Sequence, residues 1–103
     1  MKKTVTKKDL KRIVHRMNKT NKYLERIQLL NDKALYPDGF EDAIVGIITS
    51  PNVPHVLLLS VKKCIKILKK QGMSTDEASE YLYFNVISAA LGENTPMYLD
   101  DIE

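Results

Sequence analysis

Residues 74–96 read STDEASEYLYFNVISAALGENTP, and the rest of the chain is organised around this stretch. Ser74 and Glu77 have capping-box spacing: the hydroxyl takes a backbone N–H and the carboxylate reaches back to the N-cap. From Tyr81 to Leu91 apolar residues fall on almost every side, the pattern of a helix covered on most faces. Gly92 suits the helix stop, and Pro96 blocks a restart. Asn85 breaks the pattern, an amide among Phe84, Val86, Ile87 and Ala89. Buried and unpaired, it would cost roughly 1–3 kcal/mol. The expectation is therefore a bond from Asn85 to backbone at 36–43 or 92–96.

Working upstream, Ser60 caps a helix, VKKCIKILKKQ, which Gly72 ends. Its period turns Val61, Cys64, Ile65 and Leu68 inward and five lysines, 62, 63, 66, 69 and 70, to water. Before it, AIVGIIT (43–49) and HVLLL (55–59) read as two strands of a hairpin that lies on the 75–91 helix. Gly46 marks close packing or a bulge. In NDKALYPDGFED (31–42), YPDG reads as a β-turn, with Pro37 setting φ and Gly39 closing it. Asp38, Glu41 and Asp42 cluster there, without the alternation of a calcium loop, so no metal is expected. Downstream, Met97–Leu99 adds a third short strand, and the tail DDIE reads as frayed.

Residues 6–30 read as an amphipathic helix, with Thr6 as N-cap and Asp9 in its first turn. Leu10, Ile13, Met17, Leu24 and Ile27 form an apolar seam in two heptad lines, interrupted by Thr20 and Asn21. Lys8, Lys11, Arg12, Arg16, Lys19, Lys22 and Arg26 lie on the other face. The seam must be covered by the body, a second copy or a partner. Pairing with a second copy or a partner is the reading taken. The fold class is α+β: a basic N-terminal amphipathic helix, a β-hairpin, two helices and a short third strand. Residues 1–35 form a basic arm and residues 36–103 a small body.

The 103 residues suit one domain, and 44% hydrophobic with 28% charged content belongs to a folded chain. No apolar run approaches the roughly 20 residues a bilayer span needs. MKKTVTKKDLKR has the charge of a secretion signal, but no apolar region follows it. Together with the single cysteine, this leads to an expected cytoplasmic location. Net charge is +3, unevenly spread: residues 1–36 carry +8 and residues 37–103 carry −5. A basic helix of this kind can follow phosphates, although no zinc-finger, homeodomain or RNA-recognition pattern accompanies it.

Catalytic patterns are missing from the sequence: there is no phosphate-cradling glycine loop, G-x-S-x-G, H-E-x-x-H or cysteine pair. His15 and His55 read as structural or solvated, and Cys64 as a small buried hydrophobe. The most site-like feature is the loop after the helix, where Gly92, Glu93, Asn94 and Thr95 bring N–H groups and short polar chains together. A helix stop that turns into a strand explains the same residues. The expectation is a protein without catalytic activity or cofactor.

YPDGFEDAIVG (36–46), KCIKIL (63–68) and EYLYFNVISAALGENTP (80–96) together resemble a family of short bacteriophage and prophage proteins. Its members carry an Asp-Gly-Phe turn before a strand and a Phe-Asn helix ending in Gly-Glu-x-Thr-Pro. The resemblance covers about residues 36–99, and the basic first helix lies outside it. The family often has Gly at the place of Ser88 and an aromatic at the place of Ala90. The resemblance implies a phage or prophage protein working in the bacterial cytoplasm.

The first functional expectation is a non-catalytic accessory protein that binds and modulates a bacterial host protein, as an anti-defence inhibitor such as an anti-CRISPR does. The alternatives are nucleic-acid binding by the basic helix, and small-ligand binding near Asp38, Gly39, Asn85 and the 92–95 loop.

Overall fold

The computed structural model describes residues 2–4, 21–89 and 92–102. Its elements are β1 (Lys2–Thr4), α1 (Asn21–Leu30), β2 (Leu35–Pro37), a 3-10 turn (Glu41–Ala43) and β3 (Ile44–Ile48). There follow β4 (Val56–Ser60), α2 (Val61–Lys70), α3 (Thr75–Tyr81), a π-helical turn (Leu82–Ile87) and β5 (Met97–Leu99). The described part is α+β, as the alternating and 3.6-residue patterns together require.

β3 and β4 form the expected antiparallel hairpin. Ile44 faces Leu59 and Gly46 faces Leu58, so Val45 is an extra residue and the register shifts there. A Cβ on Gly46 would meet nothing within 4 Å, so this glycine marks the bulge and not a close approach. β5 joins the other edge of β4 in parallel, with Leu58 beside Met97. A parallel neighbour needs a long crossover, and α2, α3 and the π turn supply it. β4 is therefore the middle strand, and both its faces bury residues, Val56, Leu57 and Leu59 among them.

Local signals hold through the crossover. Ser60 Oγ accepts the Lys63 N–H at 3.0 Å, and Val61, Cys64, Ile65 and Leu68 are buried. Gly72 adopts φ +103°, and the Met73 N–H bonds back to the Leu68 carbonyl, closing α2 with a left-handed cap. The Ser74–Glu77 capping box is complete in both directions, at 2.9 and 3.2 Å.

Several expectations change. The turn near residue 38 is offset by one: Pro37 is its first residue, accepting the Phe40 N–H at 3.2 Å, with Gly39 at φ +91°. Tyr36 and Pro37 are left extended, and β2 pairs antiparallel with β1, a ladder that local sequence does not announce. The hairpin packs against α1 and α2, while α3 lies on α2.

The separation of arm and body at residue 35 does not hold over residues 21–35: Leu24, Ile27 and Ala34 belong to the same buried cluster as Leu57, Leu59 and Leu68. Thus Leu24 and Ile27 are core residues of this chain, not an interface seam. Thr6, Leu10, Ile13 and Met17 lie outside the described residues. The tail is also anchored. Asp101 accepts from Ser60 Oγ at 2.6 Å and from the Lys62 N–H at 2.9 Å, adding a carboxylate to the N-terminus of α2.

Candidate functional site

The 74–96 stretch does not form one helix covered on all sides. Among the described residues of its helical part, 74–89, the buried positions are Ala78, Leu82 and Val86, four residues apart. Positions four apart stand nearly over one another on a helix, so these three share one side, and the chain passes from α to π winding at Leu82 without losing it. The Ser88 N–H bonds the Tyr83 carbonyl at 3.2 Å, and Ser88 Oγ donates to the Phe84 carbonyl at 2.7 Å. The aromatics between the buried positions are turned outward. Phe84 is 73% exposed, Tyr81 42% and Tyr83 41%.

Asn85 shares that outward surface, which overturns the expected buried amide. Water can satisfy it there, in place of the expected bond to the 36–43 or 92–96 backbone. It lines a groove of about 450 Å³ together with Met73, Glu77, Glu80, Tyr81 and Phe84. Its lining combines apolar side chains, Met73, Tyr81 and Phe84, with the carboxylates of Glu77 and Glu80. The Ser74 backbone N–H, then its hydroxyl, hold the Glu77 carboxyl below the ordinary range.

The long-range polar bond expected of Asn85 is made by Asn31. Its Nδ2 donates to the His55 carbonyl at 2.8 Å and to Asn94 Oδ1 at 2.9 Å. The Leu35 N–H also bonds the Asn94 carbonyl at 3.0 Å. The 92–96 loop is thereby clasped to the end of α1 and to β2, with Pro96 buried beneath it. Gly92 and Glu93 are exposed and Thr95 is half-buried. Gly39 donates to Glu41 Oε1 at 3.4 Å, and Asp38 and Asp42 are exposed. Among the described residues no three His, Cys, Asp or Glu side chains converge on a common point.

A second groove, of about 590 Å³, runs between α1 and α2. Lys22, Lys63, Lys66 and Lys70 line it over Tyr23 and Ile67, with Asp42 as its carboxylate. Lys22 Nζ stands 5.0 Å from the centre of the Tyr23 ring. Of the basic residues singled out in the first helix, Lys22 reaches this groove, and Arg26 is exposed on α1. Lys8, Lys11, Arg12, Arg16 and Lys19 lie outside the described residues. In sequence the α2 lysines read only as a wetted face. Their spacing at 63, 66 and 70 is the available signal, since i, i+3 and i+7 share one side of a helix.

Cys64 is fully buried, and burial first, then the Asp101 charge, pushes its thiol up to about 12. It therefore stays protonated at neutral pH and packs as a hydrophobe. Burial raises the Tyr98 phenol as well, with a smaller push from Cys64. His55 Nδ1 lies 3.1 Å from Thr49 Oγ1, across the hairpin end. No described helix is long and apolar enough to cross a membrane. No protein-family model, curated protein or solved structure matches the chain.

Proposed function

We propose that this chain is a non-catalytic phage or prophage accessory protein that docks on a bacterial host protein in the cytoplasm and modulates it. The observation that carries the reading is Phe84, 73% exposed on the π turn beside Tyr81 and within reach of Glu77 and Glu80. Large exposed aromatics are unfavourable in water and are typical anchors of protein interfaces. Exposed aromatics beside two carboxylates fit a partner that offers an apolar pocket flanked by lysine or arginine. Host enzymes that handle nucleic acid carry such basic grooves. Occupying one would inhibit it, the action expected of an anti-defence protein such as an anti-CRISPR. The phage-protein resemblance over residues 36–99 supports the same context.

The test is capture from a nuclease-treated bacterial lysate with the wild type and with Phe84→Glu. A host protein retained by the wild type and lost by the variant, with unchanged melting of the variant, is the expected result. Equal capture by both would remove the aromatic groove as the contact.

A further inference from the structure

We infer that the groove between α1 and α2 is a binding site for the phosphodiester backbone of single-stranded nucleic acid. It shares no lining residue with the aromatic groove, so it goes beyond the docking function and stands or falls separately.

Charge carries the first part of the argument. Four ammonium groups, Lys22, Lys63, Lys66 and Lys70, line one concavity against a single carboxylate, Asp42. Among the described residues no carboxylate pairs with Lys63, Lys66 or Lys70. Cations held together without counter-charges repel one another, and a polyanion lying along them removes that repulsion. Lys63 to Lys70 spans seven residues of helix, about 10 Å at 1.5 Å per residue. That length is enough for more than one phosphate of a single strand to lie along the lysines.

The floor carries the second part. Beneath the lysines lie Tyr23, Ile44, Val45 and Ile67, a mixture of ring and aliphatic surface. An acidic peptide has no use for a ring platform flanked by cations. An unpaired nucleotide does: its base takes the place of the Lys22 ammonium over the Tyr23 ring, and its phosphate meets that ammonium and its neighbours. Lysine is a point charge on a flexible stem, so the site reads backbone and not sequence.

The experiment is fluorescence anisotropy of a labelled oligothymidylate of about 20 nucleotides with the full chain, between about 50 and 200 mM salt. Binding that weakens steeply with salt is expected. Lys66→Glu with Lys70→Glu should weaken it at least about tenfold. The slope of log K against log salt should drop by about 1.4, because each single-strand phosphate contact adds about 0.7. The charge-matched pair Lys33→Glu with Lys69→Glu, exposed and outside the groove, should change affinity less than about threefold. Lys66→Gln with Lys70→Gln should give the same drop in slope without reversing charge. No binding at the lowest salt, equal losses from both pairs, or an unchanged slope overturns the site. So does a polyglutamate of the same length that competes as well as the oligonucleotide.

Discussion

Asn31 Nδ2 donates to Asn94 Oδ1 at 2.9 Å, joining positions 63 residues apart. The same nitrogen reaches the His55 carbonyl, so one side chain ties the end of α1, the start of β4 and the 92–96 loop. Asn31→Ala leaves a half-buried carbonyl and an amide oxygen without their donor. A loss of about 1–3 kcal/mol is expected in urea unfolding. Asn94→Ala should be non-additive with it by at least about 0.5 kcal/mol, as for residues in one network. Additive losses would show that the clasp contributes no coupling.

Asn85→Leu, by contrast, should leave stability within about 0.5 kcal/mol, as surface substitutions usually do. Thermal melting checks this. A fall of several degrees would mean that the amide has a buried role after all.

How far the sequence can be read follows from the range of each interaction. The Ser74–Glu77 box, the Ser60 cap, the inward face of α2 and the β3–β4 hairpin depend on residues a few positions apart, and all four are legible. Asn85 misleads because an apolar neighbourhood in sequence is not one in space. The π turn spends that neighbourhood on solvent, leaving Leu82 and Val86 to the core. Asn31 and Asn94 cannot be paired in advance, since nothing local links them. The lysine groove requires knowing that α1 lies beside α2.

Leu24→Ala removes a side chain with 0% exposure from the central cluster. A loss of about 2–5 kcal/mol is expected, the range for a leucine deleted from a packed core. Ultracentrifugation of the folded fraction should show the same mass as the wild type. A lower mass with unchanged stability would restore Leu24 to a seam between copies.

Asp101 gives the chain an acid-sensitive anchor. The Ser60 hydroxyl, then the Lys62 N–H, hold its carboxyl below the ordinary 3.8. As pH falls the unfolded chain therefore takes up the proton first. The contribution is whole above the ordinary value and is lost as pH drops through the folded one. Asp101→Asn should lower the melting temperature near neutral pH, and wild type and variant should converge in acid below the ordinary carboxylate value. Ser60→Ala, which removes the cap as well, should cost about 1 kcal/mol. A gap in melting temperature between wild type and the Asp101→Asn variant that does not shrink in acid would contradict the bond.

The most direct measurement of the docking account is photo-crosslinking from position 84, with a benzophenone amino acid replacing Phe84 in bacterial cells. The account predicts one dominant adduct with a host protein. The same group at Val53, 53% exposed on the hairpin turn, should not give it. No adduct, the same adduct from both positions, or an adduct only with a second copy of the chain would contradict it.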